Sequence, residues 1–161
     1  MKYILFFLIT IILLCHPNLI YAQSFNEIPD TIIIPSIHIF LPVKESSVIF
    51  DTWEVDSDGA SFGTGSDLPG NAGNTIIFAH ALPQLFLKLP EIKIGDQVHV
   101  FTKHDWFTYI ITQTQTVQPE NIDILKSNKP NELTLFTCVG PWFSQRFVVK
   151  ASLLQDTSQM Q

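Results

Sequence analysis

Three residues of this chain have the types that nucleophilic acyl chemistry needs: Cys138, His80 and Arg146. Cys138 ends the apolar run ELTLFTC (132–138) and is followed by Val139-Gly140-Pro141. A thiol at a strand end, facing a Gly-Pro loop, reaches a substrate that a mid-strand side chain cannot. The thiolate is the attacking form, so such a cysteine needs a base or a cation beside it. His80 ends the run NTIIFAH (74–80) in the same way. Arg146 starts the next apolar run after Cys138. A hairpin between the two runs returns its guanidinium to the thiol. There it can steady a thiolate, grip a carbonyl or stabilise an oxyanion. Each residue also has a plainer reading: a small buried hydrophobe, a structural histidine, a solvated arginine.

A metal centre is the rival constellation. His38, His80, His99 and His104 accompany Cys138. The odd spacing of His99 and His104 sends their side chains to opposite faces of one strand. No CxxC or HExxH occurs, and zinc sites take three or four such ligands. Asp56, Asp58 and Asp67 lie in a Gly-rich loop but do not match an EF-hand, so calcium activation is unsupported. No cofactor is expected. There is no GxSxG for a serine nucleophile. Trp142 and Phe143, just after the cysteine, are candidates to wall a substrate groove.

The elements that must position these residues read as strands. Segments 32–43, 48–55, 74–80, 97–102, 106–117, 132–138 and 145–154 are rich in β-branched and aromatic residues. Pro35 and Pro42 interrupt the first, which suits edge or bent strands. Residues 57–74 read as one long loop of Gly, Ser and Asp. Helical signals are short, at 82–89 and at 120–127, the latter after Pro119. Many short strands with Gly and Pro turns argue for a single-domain β-sandwich or closed barrel.

The chain has 161 residues, 46% hydrophobic and 15% charged, with a formal net charge of -6. That suffices for one well-packed domain. The nine Lys and Arg are scattered, so no basic face for nucleic acid is expected. Lys2 precedes an apolar stretch from Tyr3 to Cys15, broken by His16-Pro17-Asn18, with Ala22 offering a cleavage site. This pattern predicts export, with residues 1–22 as a signal peptide or, if uncut, a membrane anchor. Leu13-Leu14 before Cys15 argues against a lipoprotein. Cleavage leaves Cys138 as the one thiol of the exported chain, unable to form an internal disulfide. Residues 23–30 read as a linker, 31–155 as the catalytic domain and 156–161 as a tail.

The ordered motifs resemble those of the sortases, cysteine transpeptidases of bacterial surfaces. ELTLFTC with Arg146 resembles TLxTC…R, and LPGNAGNTIIFAH (68–80) resembles PGxxGNxxxxGH. Segment 35–43 resembles the opening IPxIxxxxPV, Ile92 to Asp96 resembles KxGD, and Val117-Gln118-Pro119 resembles V-x-P. The resemblance covers roughly Ile32 to Leu154. It implies a closed eight-stranded β-barrel with one or two short helices. It implies that Cys138 attacks a peptide carbonyl in an LPxTG-like sorting motif of a surface protein. His80 would then act as acid and base, and Arg146 would hold substrate or oxyanion. Thr137 matches a position that helps line the site, and Trp142 is expected to bind substrate. An amine acceptor such as a cell-wall peptide or a pilin lysine would resolve the thioacyl enzyme. A monomer is the expected form. Ala79 and Ala81 depart from the family's usual residues around the histidine, which leaves the motif preference open. Two alternatives stand: a hydrolase of the same fold, and a non-catalytic envelope barrel that binds peptide or carbohydrate.

Overall fold

The computed structural model describes residues 25–154 apart from Asp51 and Asn128. The segment read as signal or anchor, and the tail after 154, lie outside the described residues.

Ten strands follow one another: β1 (Thr31–Ile34), β2 (Ile39–Glu45), β3 (Val48–Ile49), β4 (Thr52–Trp53), β5 (Ala60–Phe62), β6 (Asn74–Phe78), β7 (Gln97–Phe101), β8 (Trp106–Val117), β9 (Glu132–Val139) and β10 (Gln145–Leu153). Eight close into a barrel in the order β1-β2-β5-β6-β9-β10-β8-β7, and β3 pairs with β4 as a separate hairpin. The expected barrel is thus the fold found. Closure leaves no free sheet edge in the barrel.

Local chemistry explains the bends. Pro35 opens a 3-10 turn at Pro35–Ile37, and His38 ends it at φ 56°, which folds β2 back on β1. Along β2, Ile39, Leu41 and Val43 are buried and Phe40, Pro42 and Lys44 are exposed. That alternation places Pro42 on the outer face. The expected long loop holds one strand, β5, which pairs with both β2 and β6. Three residues are too few for a periodic signal. The two expected helices are 3-10 turns, Phe86–Glu91 and Ile122–Leu125. Neither has a side-chain N-cap, and Pro90 interrupts the first. No α-helix occurs among the described residues.

The barrel interior is filled by Ile32, Ile34, Val98, Val100, Tyr109, Ile111, Leu133, Leu135 and Val149, all 1% exposed or less. The described part of the expected linker is docked on the barrel. The Phe25 ring meets Phe107 edge-on at 4.7 Å. Asn71 holds the Phe25 backbone on both sides, accepting from its N–H at 2.8 Å and donating to its carbonyl at 2.6 Å. Gly70, at φ +81°, leaves the room for this: a Cβ there would sit 2.2 Å from the Phe107 ring. Glu27 pairs with His104 in the β7–β8 turn, and Asp30 N–H donates to the Phe101 carbonyl at 2.9 Å.

Candidate active site

β6 and β9 run parallel, with Phe78 beside Phe136. Continuing that register by two residues brings His80 level with Cys138. On the other side, β9 and β10 are antiparallel, and Arg146 is the register partner of Cys138. The three expected residues therefore come from neighbouring strand ends on one end of the barrel. The backbone around His80 is held twice: Ala79 N–H donates to the Phe136 carbonyl at 3.4 Å, and the His80 carbonyl accepts from Phe86 N–H at 3.0 Å. His80 is exposed, while Cys138 and Arg146 are half-buried.

Two cavities meet at this pair. One, of about 370 Å³, is bordered by Ser57, His80, Ala81, Leu82, Cys138 and Phe143. The other, of about 280 Å³, has His80, Cys138 and Arg146 in its wall, together with Trp53, Phe78 and Phe136. His80 and Cys138 border both. The second cavity has an aromatic floor: Trp53 stacks on Phe78 at 5.6 Å and Phe78 on Phe136 at 4.9 Å. Trp53 is held there by its indole N–H, which donates to the Thr64 carbonyl at 3.0 Å. A bound peptide can thus pass the thiol with an apolar wall on one side and a guanidinium beside it.

Residues 132, 134, 136 and 138 share the outer face of β9 by strand alternation. At the lower end of that face lies a buried polar cluster. Lys150 and Glu132, each with a 5% exposed side chain, pair at 2.9 Å. Thr134 donates to the Asn74 side-chain oxygen at 2.7 Å, and Asn74 donates to the Leu125 carbonyl at 2.7 Å. Lys150 also donates to the Lys126 carbonyl at 3.2 Å. These bonds fix the β8–β9 connection across the barrel wall, below the aromatic floor. The site thus stands on a rigid stripe of strand rather than on loop alone.

Arg146 donates through Nη1 to the carbonyls of Phe143 and Gln145, both at 3.2 Å. These bonds brace the β9–β10 loop. Gly140, Trp142 and Phe143 in that loop all have positive φ, at 78°, 57° and 56°. Two aromatic residues in the left-handed region are uncommon and mark a strained turn. Its outcome is a division of labour: Phe143 lines the larger cavity, whereas Trp142 is 97% exposed and borders neither. Thr137 borders the second cavity, but its side chain is buried. Its hydroxyl donates to the Ala79 carbonyl at 2.8 Å. It ties the residue before Cys138 to the residue before His80.

Ser57, Leu82 and Trp53 line the cavities without having been singled out from the sequence. Leu82 carried a signal in its closeness to His80. Ser57 and Trp53 carried none, because only the fold brings them there. Among the described residues no three metal-ligating side chains converge. His99 bonds Thr108 at 3.0 Å and His104 pairs with Glu27. Asp56 pairs with Lys44 at 2.8 Å, which holds its carboxyl below the usual carboxylate range, and Asp67 accepts from Asn74 N–H at 3.0 Å.

Known proteins share this fold. The family model described as the sortase domain matches residues 32–154. Sortase A of Bacillus anthracis is 28% identical over 133 residues, which cover 80% of this chain and 61% of the relative. Sortase A of Streptococcus agalactiae is 27% identical over 134 residues, covering 76% and 51%. The chain thus spans about half to three fifths of the length of these curated relatives. Among solved structures, the pilus-related sortase C of Group B Streptococcus superposes with a TM-score of 0.69 at 28% identity, covering 83% of this chain and 70% of that one. Sortase A from Corynebacterium diphtheriae, a lid mutant, gives 0.70 at 23% identity over 85% and 75%, a likeness of fold. With a family match from the first barrel strand to the last, this chain belongs to the sortase family.

Proposed function

We propose that the protein is a cysteine transpeptidase acting on a short LPxTG-like sorting motif of surface proteins. The observation that carries this reading is that Cys138, His80 and Arg146 line one cavity. In the first step Cys138 Sγ attacks the scissile carbonyl carbon. The C–N bond breaks, and His80 gives its proton to the leaving amine. Arg146 donates to the carbonyl oxygen as it gains charge. In the second step an amine attacks the thioacyl carbon, His80 takes its proton and the thiolate leaves. A cell-wall peptide or a pilin lysine is the acceptor class. The domain 31–155 acts outside the cytoplasm, with residues 1–22 as export signal or anchor. No helix among the described residues is long and apolar enough to cross a membrane.

Hydrolysis is the second reading, favoured by the exposure of His80, which leaves water a path to the thioester. Incubating the protein with a sorting-motif peptide, with and without an amine, separates the readings. Transpeptidation gives an amide product that appears only with the amine. A product mixture indifferent to the amine shows a hydrolase. Full cleavage by Cys138→Ala, or none by the wild type across a panel of sorting peptides, refutes the catalytic reading.

A further inference from the structure

The catalytic groove and the entry of the N-terminal segment lie at opposite ends of the barrel. β8 runs from Trp106 at one end to Val117 at the other, and Val117 is in register with Arg146, itself beside Cys138. Eleven residues at about 3.3 Å each, in strands tilted by about 40°, separate the ends by roughly 25–30 Å along the axis. Phe25 packs on Phe107, next to Trp106, and Glu27 pairs with His104 in the same turn. The chain is therefore pinned to the barrel at the end far from Cys138.

That end carries exposed apolar groups. Trp106 is 64% exposed and stacks on Phe101 at 6.3 Å, and Ile28 is 45% exposed. Trp106 keeps that exposure despite the Phe101 ring beside it, although a large ring at a sheet rim is costly to leave in water. An indole with one apolar body and one N–H suits the lipid–water boundary. Ala22, the last residue of the apolar N-terminal region, is three residues from Phe25. Three residues reach at most about 10 Å. With that region in a bilayer, Phe25, packed beside this rim, stands within that distance of its surface.

We propose that the barrel docks on a lipid surface through the Trp106–Phe101 rim, with the catalytic groove held at the far end. This rests on the reading of residues 1–22 as a membrane segment.

The two exposed tryptophans report on the two ends. Full-length chain is reconstituted into vesicles of phosphatidylcholine and phosphatidylglycerol, the former with brominated acyl chains. Brominated lipid should quench wild-type emission relative to unbrominated vesicles. Trp106→Phe should lose most of that quenching, and Trp142→Phe should keep it. Both substitutions are at exposed rings, and circular dichroism checks that the barrel is intact. Quenching that survives Trp106→Phe and vanishes with Trp142→Phe places the groove end on the membrane and overturns the proposal. Vesicle-bound protein with no quenching overturns it as well. Protein that fails to float with the vesicles overturns the membrane-segment reading itself, and the docking with it.

Discussion

Replacing Thr137 by valine tests how the proposed catalytic pair, Cys138 and His80, is held together. The Thr137 hydroxyl donates to the Ala79 carbonyl at 2.8 Å, and both residues are buried. Valine keeps the shape and removes the donor, so the carbonyl loses this partner inside the wall. Such a loss costs about 1–3 kcal/mol. With unfolding entropy near 2.1 cal/mol/K per residue and about 130 ordered residues, Tm falls by about 4–11 °C. The bond also sets the end of β6 against the end of β9. A displacement of about 1 Å between reacting groups costs about 10²-fold in rate. Turnover of a sorting peptide should therefore fall in kcat, with KM little changed, because this hydroxyl is engaged within the protein. Thr137→Ser keeps a donor and should restore most of both losses. Thermal unfolding and steady-state kinetics read the two effects. A Tm within about 1 °C of wild type with unchanged kcat would refute the reasoning. A rise in KM alone would show instead that Thr137 binds substrate.

Arg146→Lys keeps the charge but not the planar fork that braces two loop carbonyls, so turnover should fall by about 10²-fold with stability little altered; wild-type kcat in this variant would remove Arg146 from the mechanism. Lys150→Met leaves Glu132 without its cation and should cost about 3–5 kcal/mol in urea unfolding, while Lys150→Met combined with Glu132→Leu should recover most of it. A single variant as stable as wild type would mean that the pair contributes nothing. The Glu27–His104 pair makes the docking of the N-terminal segment pH-dependent. Glu27 beside His104 raises the imidazole above its ordinary value of 6.5, and the hydrogen bond from His104 lowers Glu27 below 4.5. The histidine's share is fully present below pH 6.5 and lost as pH rises through its raised value. The carboxylate's share is present above pH 4.5 and lost as pH falls through its lowered value. Comparing Glu27→Gln with wild type by thermal unfolding should show the largest gap between about pH 4.5 and 6.5, with a narrowing on both sides. A gap that is flat across pH would count against the pair.

Much of this protein was decided by its sequence. The strand-forming runs, the Gly and Pro punctuation and the ordered motifs around His80, Cys138 and Arg146 are local, and local patterns survive in one dimension. The runs and turns left a sandwich or a closed barrel open, the motif resemblance implied the barrel, and the three residues named from the sequence border one cavity. The tertiary structure decided what depends on distant segments meeting. Strand β5 is too short to show a period, and it exists because β2 and β6 offer it ladders on both sides. The segment after Ser24 looks like a linker by composition, yet Asn71, Phe107 and His104 dock it, from positions 46 to 82 residues away. Thr137 and Trp142 flank the strand end and loop that follow one thiol, and their sequence neighbourhood does not distinguish them. Strand alternation turns Thr137 inward onto Ala79, and the left-handed turn swings Trp142 into solvent while Phe143 enters the cavity. Sequence names the candidate reactive groups, because reactivity belongs to residue types. Which end of the barrel they occupy, and what holds them there, follows from register and packing, which no single segment contains.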